Sequence, residues 1–171
     1  TRENRLSYIY LITRYRLSTQ IEDQSRAFLQ GLTELINPRW LRLFNTEELR
    51  VLVTGADTPI DVEDLRRNTV YGGYHEKDMA VQYFWEALSS LDQASLKAFL
   101  RFVTSSPNPP LLGFSELNPK FAIRHAGDDI TRLPTASTCV NLLKLPAYNS
   151  TAQCLEKVKY AIYSGAGFDL S

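Results

Sequence analysis

Between Ser105 and Pro110 the chain reads Ser-Ser-Pro-Asn-Pro-Pro, and this connector separates two kinds of sequence. Its prolines remove backbone donors and fix φ, so neither a helix nor a paired strand can run through it. Before it, apolar residues recur at helical spacing. After it they come in short runs with strand character, Lys120-Phe121-Ala122-Ile123-Arg124 and Cys139 to Leu145. The order is therefore helices first, then strands.

Taken in order, Arg5 to Tyr15 is apolar on more than one helical side, with Leu6, Ile9 and Tyr10 on one and Tyr8, Ile12 and Tyr15 on another. It is therefore expected to be buried between two neighbours, the alternative being that one side docks a partner. Ile21 to Ile36 repeats apolar residues as an amphipathic helix, which Pro38 is expected to terminate. Asn45 with Glu48 forms a capping-box signature before Leu49, Val51 and Leu52, and Glu47 and Glu48 then favour the helix dipole. Gly55-Ala56-Asp57-Thr58-Pro59 is the clearest break, suited to a hinge, and Asp61 starts a new capped helix after it.

Tyr71-Gly72-Gly73-Tyr74 reads as a tight turn, and its glycines lack the spacing of a phosphate-cradling loop. Asp78 to Leu91 and Asp92 to Val103 predict a helical hairpin supplying much of the core through Phe84, Trp85, Leu88, Phe99 and Leu100. Ser150 and Gln153 predict the capping box of a final helix, whose apolar face is Cys154, Leu155, Val158, Ala161 and Ile162 and which ends near Gly165.

Nineteen basic and nineteen acidic residues balance, so no overall field favours nucleic acid or an anionic membrane. No apolar run reaches the length of a membrane span, and there is no signal-peptide pattern, so a soluble protein is expected. The two cysteines form neither a disulfide framework nor a zinc spacing, which predicts a reducing compartment, cytosol or nucleus. The chain starts at Thr1 with a helical pattern under way within a few residues, which suggests a piece of something longer.

Among side chains capable of chemistry, Cys139 sits outside any periodic element. Leu133-Pro134-Thr135-Ala136-Ser137-Thr138 before it reads as a loop, and the apolar run after it as a strand, so its thiol can face solvent at a loop-to-strand junction. A free cysteine more often behaves as a small buried hydrophobe, and that reading also stands. Cys154, in step with a helical apolar face, reads as a core thiol. His75 and His125 are far from Cys139 in sequence, and Asp128 and Asp129 read more readily as a solvated turn than as a catalytic acid or base.

Several segments, in order and at matching spacing, resemble the HECT-type ubiquitin ligase family: Tyr15-Arg16-Leu17-Ser18, Phe44-Asn45-Thr46-Glu47-Glu48-Leu49, Tyr71-Gly72-Gly73-Tyr74, Phe84-Trp85, Phe99-Leu100-Arg101-Phe102-Val103-Thr104, Pro110-Leu111-Leu112-Gly113-Phe114, Leu133 to Cys139, and Gly167-Phe168. Ser137-Thr138-Cys139, Asn141 to Pro146 and the ending Gly167 to Ser171 resemble most the branch typified by UBE-three-B, UBE-three-C and Hul-five.

The resemblance implies a two-lobed α+β fragment: residues 1–54 as the end of an N-lobe, 55–58 as a hinge, and 59–171 as a C-lobe whose small sheet carries the catalytic loop. It implies that Cys139 accepts ubiquitin as a glycyl thioester from a charged conjugating enzyme and passes it to a substrate lysine. Thr138 would position or polarise the reacting carbonyl, and Phe168 in the tail would help organise transfer. Ubiquitin, a conjugating enzyme and protein substrates are the implied partners; no cofactor, metal, nucleic acid or membrane is implied. Many family members carry histidine where this chain has Ser137, so no activating base can be named. A different class, a truncated non-catalytic module that binds ubiquitin or another partner, is the alternative, since an incomplete docking lobe need not be loaded.

Overall fold

The structure, a computed structural model, describes residues 4–55 and 57–164. The chain divides into two compact units, Thr1–Leu49 and Arg50–Ser171.

The first unit is helical, with α1 (Arg5–Leu17), a 3-10 turn at Thr19–Ile21, α2 (Glu22–Leu35), the short α3 (Pro38–Leu41) and the beginning of α4 (Thr46–Thr54). The capping box at α4 forms as expected: the Glu48 amide donates to Asn45 Oδ1 at 2.9 Å, and the Asn45 amide donates to Glu48 Oε2 at 2.7 Å. α2 ends at Leu35, ahead of Pro38, as expected, and Pro38 also occupies the first turn of α3, where a missing N–H costs nothing, while Asn37 Oδ1 caps that turn by accepting from the Arg39 amide at 3.0 Å. One expectation is corrected: α1 is not buried, for none of its residues is. Among the described residues, the 3-10 turn that follows α1 is its main packing partner.

The second unit contains α5 (Val62–Arg67), β1 (Val70–Gly72), α6 (Met79–Ser89), α7 (Gln93–Thr104), β2 (Ala122–His125), β3 (Thr135–Ser137), β4 (Leu142–Leu145) and α8 (Thr151–Ser164). Asp61 caps α5 by accepting from the amides of Glu63 and Asp64, and Asp92 caps α7 by accepting from the Ser95 amide at 2.8 Å. The cap of α8 is a displaced box: the Gln153 amide donates to Ser150 Oγ, while Gln153 Oε1 accepts from the Asn149 amide rather than from that of Ser150.

Among the described residues the strands form one mixed sheet in the order β1-β2-β4-β3. β1, β2 and β4 are parallel, and β3 is antiparallel to β4. One face of the sheet lies on the helices and carries Ile123, Leu143 and Ala136, each 2% exposed or less. α8 packs against both α6 and α7, while Phe84 of α6 and Phe99 of α7 meet with ring centroids 5.9 Å apart. Trp85, Phe84, Phe99 and Phe121 are fully buried, at about 1.5–3 kcal/mol for a large apolar side chain. This is the core foreseen from the helical spacing.

Two further readings change. Tyr71 and Gly72 belong to β1, and the turn is confined to Gly73, whose φ of +74° and close approach to His125 Cβ would strain any side chain there. The stretch before Cys139 is not all loop, because Thr135–Ser137 is a strand.

Candidate active site

β3 and β4 form a hairpin whose last pair is Ser137 with Leu142, so Thr138-Cys139-Val140-Asn141 is its connection. Thr138–Val140 makes a single 3-10 turn, and Asn141 follows with φ 50° and ψ 41°. A helical turn followed by one left-handed residue reverses the chain in register with the strand twist, and asparagine is among the few residues with a side chain that tolerate that conformation. Cys139 thus stands at the tip of a hairpin, exposed to solvent. The loop-to-strand junction expected from the sequence becomes a strand-turn-strand.

The tip is held from several sides. α7 packs against the turn and against both strands of the hairpin. The Asn141 amide donates to the Thr138 carbonyl at 3.3 Å, and the Ala122 amide of β2 donates to the Asn141 carbonyl at 3.0 Å. Asn141 Nδ2 donates to the Pro119 carbonyl at 2.6 Å, and the residue is only 7% exposed. The segment entering the hairpin is anchored too, by the Tyr148 hydroxyl donating to the Arg132 carbonyl at 2.7 Å and by Lys157 Nζ donating to the Thr131 carbonyl at 3.1 Å.

Of the predicted site residues, Cys139 and Thr138 are adjacent in this turn, with Thr138 half-buried at its start. Phe168 lies outside the described residues. Asn141 was not singled out by the sequence reading; the only signal was an asparagine at the end of a turn-forming stretch.

The histidines serve other places. β1, β2 and β4 run the same way, and Cys139 lies before the start of β4, whereas His125 pairs with Leu145 at its end, about 10 Å of strand further on. His125 meets Tyr74 edge-on at 4.8 Å, accepts from the Gly127 amide at Nδ1, and pairs through Nε2 with Asp128 Oδ1 at 3.3 Å. His75 follows β1 at the same far edge of the sheet and gives its amide to Asp78.

Asp129 accepts from both the hydroxyl and the amide of Thr131, and these bonds hold its carboxyl below the usual range, as befits a turn. Cys154 is fully buried in α8, and burial pushes its thiol up to about 12. Among the described residues no group of three or more histidine, cysteine or acidic side chains is arranged to hold a metal ion. None of the helices there is long and apolar enough to cross a membrane.

The arrangement is an α+β scaffold that presents one reachable thiol on a braced hairpin tip, as an acyl carrier needs. The family model described as HECT-domain (ubiquitin-transferase) matches residues 1–171, and the chain belongs to that family. It is 48% identical over 171 residues to the E3 ubiquitin-protein ligase HUL5 of Saccharomyces cerevisiae, covering 100% of this chain and 19% of the relative. It is 45% identical over 177 residues to the E3 ubiquitin-protein ligase UPL6 of Arabidopsis thaliana, covering 100% of this chain and 17% of the relative. To the human ubiquitin-protein ligase E3B the figures are 41% over 197 residues, 100% and 18%. The branch expected from the residues around Cys139 is represented among them. The chain spans less than a fifth of the length of these curated relatives.

Proposed function

We propose that this chain is the catalytic end of a HECT-type E3 ubiquitin-protein ligase, with Cys139 as the residue that carries ubiquitin. The observation that supports this most is the exposed thiol at the tip of a hairpin braced by α7, in a chain of the HECT family. The Cys139 thiolate attacks the carbonyl carbon of the thioester between ubiquitin and a conjugating enzyme. The new C–S bond forms as the old one breaks, and the conjugating enzyme's thiolate leaves. Because one thioester replaces another, the step is close to thermoneutral, and the ubiquitin stays activated for attack by a lysine amine. In that second step a C–N bond forms, Cys139 leaves as thiolate, and the amine's proton passes to a base or to water.

Within this reading Thr138, next to the nucleophile, positions or polarises the reacting carbonyl, and Phe168 contributes from the tail. Ubiquitin, a charged conjugating enzyme and protein substrates are the partners. The test is a loading assay on the full-length protein with charged conjugating enzyme. A thiol-sensitive ubiquitin adduct that disappears in Cys139→Ala is the expected result; an adduct that persists in that variant, or none in the parent, overturns the reading.

The same reading takes residues up to 54 as the end of an N-lobe, 55–58 as a pivot and 59–171 as the catalytic lobe. In its support, Gly55 has a φ of +81°, and Pro59 stiffens the exit. The Asn108 side chain, which donates to the Thr54 carbonyl at 3.1 Å, marks where the N-terminal side of the pivot is held. Amide exchange at Asp57 and Thr58 as slow as in α5 would argue against a pivot there. The two free thiols suit the reducing cytosol or nucleus, and imaging of the tagged full-length protein checks this placement.

A further inference from the structure

We propose that Asn141 is a positioning residue for the transfer step, holding the Cys139 turn in the orientation from which the sulfur reaches the incoming thioester. The proposal rests on reading Cys139 as the ubiquitin carrier, and it assigns the task of aiming the thiol to a residue that touches no substrate.

Three features of Asn141 converge on this task. Its backbone lies in the left-handed region, at φ 50°, where a residue with an ordinary side chain is strained; this conformation turns the chain from the 3-10 turn into β4. Its own amide closes the turn onto the Thr138 carbonyl, and its carbonyl accepts from the Ala122 amide of β2. Finally its side-chain amide reaches out of the hairpin to the Pro119 carbonyl at 2.6 Å. Pro119 stands three residues before β2, so the side chain ties the nucleophile's turn to the approach of the neighbouring strand.

Cys139 and Val140, by contrast, are exposed, and the turn they belong to is closed toward β4 by the bond from the Asn141 amide to the Thr138 carbonyl. Without the Asn141 side chain, the turn depends on the backbone ladder and on packing from α7. A nucleophile displaced by about an ångström from its attacking geometry can lose on the order of a hundredfold in rate even though the thiol stays exposed. A buried side-chain amide with a short hydrogen bond is suited to prevent that displacement. The effect expected is on orientation and not on thiol chemistry, because Asn141 carries no charge and its side-chain amide is committed to Pro119.

Two substitutions separate the backbone contribution from that of the side chain. Asn141→Gly keeps access to the left-handed conformation and removes the tether. Asn141→Asp keeps size and conformational tolerance but sets a carboxylate oxygen where the amide nitrogen met the Pro119 carbonyl. In full-length protein, both variants are expected to load ubiquitin from charged conjugating enzyme with a maximal rate lowered about tenfold or more.

The half-saturating concentration of charged enzyme should be unchanged, and so should the rate at which iodoacetamide, a small reagent needing no docking, alkylates Cys139. Maximal loading within twofold of the parent in Asn141→Gly overturns the proposal. So does an alkylation rate that falls in step with loading, since it would mean that the thiol itself had been altered. If Asn141→Gly loses its cooperative melt, Asn141→Asp decides by the same criteria. A parent that forms no Cys139-dependent adduct instead defeats the assignment of Cys139 as carrier, and is distinguished because the comparison among variants then has no signal to read.

Discussion

Cys139 and Cys154 are the same functional group, in the same compact unit, in surroundings that make them chemically unlike. Cys139 stands at the solvent-facing tip of the β3–β4 hairpin, where the bonds that fix it are made by its neighbours' backbones and by the Asn141 side chain. Cys154 lies on the inner face of α8 in step with Val158 and Ala161, fully buried, with its thiol pushed up to about 12 by burial. Burial stabilises the neutral thiol and denies access to it, whereas a braced turn leaves the thiol reachable while restricting its direction. Reactivity in this chain is therefore set by placement, and a thiol one helical face away from solvent is only a packing group.

The largest effect expected follows from that contrast. Cys139→Ala should abolish the thiol-sensitive ubiquitin adduct in the full-length protein, whereas Cys154→Ala should leave loading within about twofold while lowering stability by about 1 kcal/mol for the void it creates. Gel analysis of the adduct and a denaturant melt read the two. Complete loss of loading in a folded Cys154→Ala protein would reverse the roles.

A second test needs no partner. In native protein, iodoacetamide should label Cys139 roughly a thousandfold faster than Cys154, since Cys154 is reached only by opening the core. Peptide mapping after timed quenching gives both rates. Comparable rates would mean that α8 opens locally, and the distinction between a braced surface thiol and a sealed one would fail.

Much of this contrast was legible in the sequence. The periodicity of Cys154, Val158 and Ala161 marked a helix face, and the capping signatures at Asn45, Asp61 and Asp92 each found their partners, because both signals depend only on residues a few positions apart. β3 was missed since three residues, Thr135-Ala136-Ser137, are too few to show an alternating pattern, and only pairing with β4 makes them a strand. The role of Asn141 was hidden for a similar reason: its partner Pro119 lies 22 positions away. Pro38 follows the end of one helix, as its sequence predicts, and also starts the next, since proline suits the first turn of a helix as well as the end of the one before.

Alkali sharpens the comparison on the buried side. An ordinary thiol ionises near pH 8.5, and the Cys154 thiol in the folded protein only near 12. Between those values the unfolded chain loses a proton that the folded chain keeps, so this contribution to stability is complete below about pH 8.5 and is lost as pH rises toward 12. Tyr74, pushed up to about 12 chiefly by burial, and Tyr148, raised by burial as well, add a second loss that starts near pH 10. Denaturant melts of Cys154→Ala should show the alkaline decline beginning about 1.5 pH units later than in the parent. An unchanged onset would mean that Cys154 is not sealed in the native state.

The smallest effect lies on the surface side, in the segment that leads into the Cys139 hairpin. Asp129 is fixed by the Thr131 hydroxyl and amide, which hold its carboxyl below the usual carboxylate range. The folded-state value is depressed, so the stabilisation is complete above the ordinary carboxylate value near pH 4 and is lost as pH falls through the depressed one. Because Asp129 is exposed, water competes for these bonds, and Asp129→Asn should shift only the acid limb of the stability profile, by a small amount. Cys139 alkylation at neutral pH should stay as in the parent, because the hairpin tip is braced by α7 and Asn141 and not by the Asp129 turn. A change in that rate larger than the change in acid stability would show that the Asp129 turn does set the placement of the thiol, and the bracing of the tip would then extend back along the chain to residue 129.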